Sequence, residues 1–178
     1  VKTISFDLWG IEKKVFLNYL SVGYDAAVVD RFQRLRGKLP ALFRRPFGNR
    51  VLYLISGFLH LFYGIPSGAV IMYENQKIDI SWHKTLLLGN INSYVGGKFL
   101  DKTVVYTDKQ LNVFRIKRLW GMIRLVSGRG CESQNEKSNS FVLNLGYDTM
   151  GQIDGEPHPF SKGVHRIELI GQVKVIGG

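Results

Sequence analysis

The spacing of apolar residues divides the chain into a strand, two helices and a long run of further strands. "KKVFLNYLSVG" (residues 13–23) alternates with Val15, Leu17 and Tyr19 on one face, which predicts one strand. "YDAAVVDRFQRLRGKLP" (24–40) then takes helical spacing. Val28, Phe32 and Leu35 fall at i, i+4 and i+7, Arg31, Arg34 and Lys38 point away, and Pro40 closes the segment. Asp25 is placed to cap this helix. A second helix is predicted from about Asn49 through Tyr63, stopped by Gly64 and Pro66, and is expected to be buried.

From Ala69 onward the period is mostly two. "AVIMYENQKIDISW" predicts a hairpin turning near Asn75, with Ile78, Ile80 and Trp82 inward and Asp79 and Ser81 outward. "KTLLLGNI" is continuously apolar, as a central strand buried on both faces would be. "TVVY" and "LNVFRI" follow as strands, then "KRLWGMIRLVSG" as a short helix and "CESQNEKSNS" as a polar loop. "FVLNLG" leads towards "GQIDGEP", and "HRIELIGQVKVI" closes the pattern with a slip at Ile170-Gly171 that predicts a β-bulge. The sum is a β-rich α+β single domain over residues 1–178. Two packed, largely antiparallel sheets are expected, with one or two helices near the start.

Composition agrees with a folded chain: of 178 residues 45% are hydrophobic and 12% aromatic. The single cysteine, Cys131, excludes an internal disulfide and a multi-thiolate metal site, and fits a reducing cytosol. The longest apolar stretch, Val51 to Tyr63, is shorter than the roughly 20 residues of a membrane span. The chain opens at Val1 without a start methionine or targeting run and is expected to be a portion of something larger.

The net charge of +10 is unevenly placed. Arg31 to Arg50 holds seven Lys/Arg and no acid, and Arg115 to Arg129 holds five more with none. Such patches attract phosphate on a nucleotide, a nucleic acid or an anionic membrane, or simply form a solvated face. No recognition motif for RNA or DNA accompanies them, so no nucleic-acid partner is expected.

Two glycine-containing stretches bear on chemistry. Gly97-Lys98 is followed by Phe99 rather than Ser/Thr, so it is not a P-loop. In "GQIDGEP" (151–157) the Asp154-Gly155 pair between apolar residues is a strong hairpin signal, yet it also sets two carboxylates, Asp154 and Glu156, on either side of a glycine. Turn and catalytic base are compatible readings.

Several stretches together resemble one family. "FLNYLSVGYDAAVVDRFQRLRGKLPALFRRPFGNRVLY" (16–53), with the preceding "ISFDLW", "NINSYVGG" (90–97) and "IDGEP" (153–157), is similar to the accessory domain of eukaryotic diacylglycerol kinases. The matches fall in the family's order and cover most of the chain. The resemblance implies a two-domain, ATP- and Mg²⁺-dependent lipid kinase acting on diacylglycerol. Its N-terminal catalytic domain, with a Gly-Gly-Asp-Gly nucleotide loop, is not in this sequence, so this chain alone is expected to be inactive and to hold no bound cofactor.

On the same resemblance Asp154 would take the proton of the lipid hydroxyl, and Glu156 would sit beside it, helping to hold metal or tune the base. The glycines of "SYVGGKF" permit close backbone approach, so Gly96, Gly97 and Lys98 either meet a phosphate or form a tight β-turn with a solvated lysine. Arg31, Arg34, Lys38, Arg44, Arg45 and Arg50 would face an anionic membrane, in keeping with a cytoplasmic, peripherally bound enzyme. "TDKQLNVF" (107–114) lines up with a stretch that holds a structural magnesium in bacterial members. Here Lys109 and Asn112 replace a glycine and a glutamate, so no metal is expected and Asp108 is read as a turn residue. Two other functions fit the same chain: a non-catalytic lipid- or partner-binding module, and part of a sphingosine- or ceramide-type kinase.

Overall fold

The computed structural model describes residues 2–38, 46–94, 98–99, 104–126 and 136–177. Pro40, Arg44, Arg45, Gly96, Gly97 and Cys131 lie outside the described residues, as do the side chains of Arg50 and Lys98. In chain order the elements are β1 (Lys2–Ile11), β2 (Lys14–Phe16), β3 (Tyr19–Gly23), α1 (Tyr24–Lys38), α2 (Pro46–Leu59), β4 (Val70–Tyr73), β5 (Gln76–Asp79) and β6 (Thr85–Gly89). They continue with β7 (Ser93–Tyr94), β8 (Lys98–Phe99), β9 (Leu111–Ile116), α3 (Leu119–Val126), β10 (Lys137–Ser138), β11 (Ser140–Leu145), β12 (Thr149–Ile153), β13 (Glu156–Phe160) and β14 (Gly163–Gly177).

The strands form two six-stranded antiparallel sheets, ordered β2-β1-β14-β11-β4-β5 and β10-β9-β6-β3-β12-β13, with β7 and β8 as a small pair. Between the sheets lies the main core, built from the inward positions of both: Trp9, Phe16, Leu20, Leu86, Leu88 and Phe141 are almost wholly buried there. The other face of the second sheet is covered too. Leu87, Phe114 and Ile116 point away from the sandwich and meet Tyr94, Val104 and Met122 in a second core. Strand β6 is therefore buried on both faces, which is why its sequence shows no alternation.

Local chemistry sets the turns. The β4–β5 hairpin reverses at Glu74 and Asn75, with φ of 47° and 63°, the paired positive values of a tight hairpin turn. On β14 the pairing with β1 steps from Leu8↔Gly171 to Trp9↔Leu169, leaving Ile170 as the extra residue of the predicted bulge.

The structure corrects several expectations. Residues 13–23 are two strands, not one: β2 ends at Phe16, the chain bends at Leu17-Asn18, and Val15 is exposed. Trp82 points to solvent rather than inward, because its φ of 64° turns the chain away after Ile80. Val104 to Tyr106 lies outside any strand. The second helix is not buried on all sides. It runs from Pro46 and ends at Leu59 rather than Tyr63; Leu54, Ile55, Phe58 and Leu59 are exposed, as is Phe62 in the turn beyond it, while Leu52 and Ser56 face inward. No helix among the described residues is long and apolar enough to cross a membrane.

Candidate functional site

On the helix-covered face of the second sheet, three neighbouring strands each contribute a polar side chain. Ser21 on β3 lies opposite Gln152 on β12 and Leu87 on β6, and Thr85 is two residues along β6 on the same face. All converge on Asp25 in the first turn of α1, which is 2% exposed. Its Oδ2 accepts from Ser21 Oγ at 2.6 Å, from Gln152 Nε2 at 2.7 Å and from the Tyr94 hydroxyl. Its Oδ1 accepts from Thr85 Oγ1 at 3.0 Å. A carboxylate is held in this interior by donors on every side, as a buried charge requires. Asp25 thus knits the helix to the sheet instead of capping its own helix.

An apolar cavity of about 450 Å³ lies over this cluster, between α1, α2 and α3. Val28, Phe58, Leu61, Leu119 and Met122 line its walls, and Asp25 is the one carboxylate among its described lining residues. The phenols around it resist ionisation. The Tyr94 hydroxyl is pushed well above its ordinary range by burial and the neighbouring Asp25, and that of Tyr24 is raised by the same causes. Burial, then Asp25, raises that of Tyr53.

Asp154 sits at the end of the same sheet, exposed, in a two-residue turn with φ of 47° followed by Gly155 at 88°. Its carboxylate folds back over the bend between β2 and β3. Oδ2 accepts from the Leu17 N–H at 2.9 Å, and Oδ1 accepts from the N–H groups of Asn18 and Tyr19 at 2.8 and 2.9 Å. These donors sit at the interruption between strands, and the aspartate satisfies them. Tyr19 links this turn to the buried cluster. Its ring packs edge-on against Tyr94, and its hydroxyl is raised to about 12 by burial, then by Asp25 and Asp154. The bend is braced from the other side by Asn90, whose Nδ2 donates to the Leu17 carbonyl at 2.8 Å and the Asp7 carbonyl at 3.0 Å.

The remaining predicted residues are placed as follows. Glu156 is exposed at the start of β13, opposite Ile153. Asp108 is in a turn, accepting from the Gln110 N–H at 3.1 Å, and pairs with Lys137 Nζ at 3.2 Å. Arg31, Arg34 and Lys38 are exposed along α1, with Arg34 bonded to Asp30 at 2.9 Å. The structure therefore brings Asp154 near the Tyr19–Asp25 cluster but leaves the arginines on a separate helix surface. Ser21, Thr85, Tyr94 and Gln152 went unnoticed in the sequence. Their only signal was a polar residue in an otherwise buried strand, such as Ser21 within YLSVG.

Residues 15–157 match the family described as the diacylglycerol kinase accessory domain. The chain is 28% identical to Diacylglycerol kinase 1 of Arabidopsis thaliana over 159 residues, covering 81% of this chain and 22% of that protein. It is 26% identical to Diacylglycerol kinase 2 of the same plant over 175 residues, covering 90% and 25%. The chain thus spans about a quarter of the curated relatives it matches. Among solved structures it is similar to a diacylglycerol kinase from Bacillus anthracis, with a TM-score of 0.60 at 14% identity over 99% of this chain and 55% of that one. That likeness speaks for the fold. The family match spans most of the chain, including the Asp25 cluster and the Asp154 turn: this chain belongs to the diacylglycerol kinase accessory domain family.

Proposed function

We propose that this chain is the lipid-holding part of an ATP-dependent diacylglycerol kinase that converts diacylglycerol to phosphatidic acid. The observation that carries the reading is the apolar cavity between the three helices. Its volume lies in the range of small-molecule sites, its walls suit an acyl chain, and it lies over the Asp25 cluster, which Tyr19 joins to the Asp154 turn.

In this reading the lipid hydroxyl oxygen attacks the γ-phosphorus of ATP held on the neighbouring catalytic domain. The new O–P bond forms as the bond to the β-phosphate oxygen breaks, ADP leaves, and Asp154 takes the hydroxyl proton. A carboxylate offers about four lone-pair directions. Three backbone N–H groups use three of them on Asp154, which fixes the group in place and leaves one for the substrate. Glu156 adds negative potential beside it. In this reading Mg²⁺ stays with the nucleotide on the neighbouring domain, and no step here runs through it. The chain without that domain transfers no phosphoryl group.

The test uses the full-length protein. Asp154→Asn is expected to lower kcat by about 10²-fold or more with little change in the KM for ATP. Gly57→Leu, which narrows the cavity, is expected to raise the KM for long-chain diacylglycerol alone. Full turnover in Asp154→Asn removes the base. A Gly57→Leu enzyme with unaltered lipid KM removes the cavity. Lipid binding without turnover in the unaltered protein identifies a non-catalytic module instead, and preference for sphingosine or ceramide identifies the other lipid-kinase branch.

A further inference from the structure

Helix α2 buries Leu52 but turns a second row of hydrophobic residues outward. Leu54, Ile55, Phe58 and Leu59 follow the i, i+1, i+4, i+5 spacing of one helical stripe that faces outward, and Phe62, in the turn after the helix, continues the exposed surface. Phe62 is 95% exposed, Phe58 75% and Leu54 71%. On α3 Trp120 and Ile123 extend the exposed apolar surface. An apolar surface of this kind marks a contact site rather than chance exposure.

Two further observations identify the contact. First, Leu54, Phe58 and Ile123 also line the cavity, so the exposed stripe forms the cavity's rim. Second, both helices come from segments without acids. No Asp or Glu occurs from residue 31 through residue 73, nor from residue 109 through residue 131. Lys117 and Arg118 are exposed immediately before Trp120. Apolar and aromatic side chains flanked only by cations suit the interfacial layer of an anionic bilayer.

We propose that α2 and α3 form a lip that enters the surface of an anionic membrane, with the cavity opening inside that layer. The inference rests on the proposed lipid substrate and adds how it arrives: an acyl chain passes from bilayer to cavity without crossing water. Phe58, Phe62 and Trp120 enter the acyl boundary while Lys117 and Arg118 remain at the headgroups. This places the membrane contact on α2 and α3 rather than on the arginines of α1.

The test uses this chain and vesicles of phosphatidylcholine and phosphatidylserine free of diacylglycerol, so that docking is read without turnover. Trp82→Phe is introduced because Trp82 is exposed elsewhere, whereas Trp9 is fully buried, which leaves Trp120 as the surface reporter. Binding is expected to shift the emission to the blue and to make it quenchable by brominated acyl chains. Phe58→Gln with Phe62→Gln should weaken vesicle binding by about tenfold or more, and Lys117→Glu with Arg118→Glu should remove its dependence on phosphatidylserine. All four positions are exposed, so the variants are expected to keep the thermal transition of the parent.

No vesicle binding by the parent overturns the proposal, as does binding that the double glutamine variant leaves unchanged. So does a full-length protein in which Trp120 is shielded from acrylamide before vesicles are added, because the surface would then be an interdomain contact. Turnover of the full-length protein on detergent-dispersed short-chain diacylglycerol is measured in parallel. Its persistence without vesicle docking sinks the lip and spares the kinase reading; docking without turnover does the reverse.

Discussion

The side-chain amide of Gln152 donates to the carboxylate of Asp25 at 2.7 Å, joining two residues 127 positions apart in the sequence. The same Nε2 lies 3.0 Å from Ser21 Oγ and 2.6 Å from the Tyr94 hydroxyl, so strand, strand and helix are tied at one point.

Asp25→Asn tests that tie. Donors from Ser21, Thr85, Tyr94 and Gln152 all need an acceptor at position 25, and an amide presents two N–H groups to them. The variant is expected to lose about 3 kcal/mol of stability, read from the urea midpoint at unchanged slope. A loss below about 0.5 kcal/mol would mean the cluster contributes little to the fold.

Asp154→Asn separates structure from chemistry. Asparagine tolerates the left-handed backbone that the φ of 47° requires, so the turn itself survives. The three N–H groups of the bend lose a charged acceptor, with an expected cost of about 1–3 kcal/mol. Asp154→Ala should cost more, since it adds backbone strain to the lost bonds. Equal stabilities of the two variants would count against the turn's contribution.

The pH dependence follows from Tyr19. Its folded value of about 12 lies above the ordinary 10.0, because of burial and then Asp25 and Asp154, so the folded state holds the proton more tightly. Below pH 10 both states are protonated and the contribution is fully present; between pH 10 and 12 the unfolded chain ionises first and stability falls. Thermal unfolding should show this decline, and Tyr19→Phe should make it shallower without abolishing it, as Tyr24 and Tyr94 are raised too. An identical slope in the variant would contradict the assignment.

Gly151→Ala is expected to overpack the sandwich. A Cβ at this position would stand 2.3 Å from Phe160 Cε2 and 3.0 Å from the Ser21 carbonyl oxygen. Phe160 is buried and can shift little, so a loss of about 1–3 kcal/mol is expected. Adding Phe160→Leu should recover part of it. Additive losses would show that the ring is not the obstacle.

How much of this was legible in the sequence depended on the range of the interactions. The β4–β5 hairpin, the bulge at Ile170 and the doubly buried β6 are encoded in adjacent residues, and each was read correctly. The break at Leu17-Asn18 was missed because its cause, Asp154, arrives from 136 residues away. Asp25 looked like a helix cap because local spacing cannot reveal Ser21, Thr85 and Gln152 lined up across three strands. The outward face of α2 was missed for a different reason: hydrophobic spacing fixes which residues share a helix face, but not whether protein or another apolar medium lies against it.

Strand β6 separates the two cores and belongs to both, with Leu86 and Leu88 in one and Leu87 in the other. Neither layer can loosen without disturbing the other, so sandwich and helices form one thermodynamic unit. A guest that settles among the helices therefore raises the melting temperature of sheets it never touches, which gives a simple calorimetric readout for lipids seeking this fold.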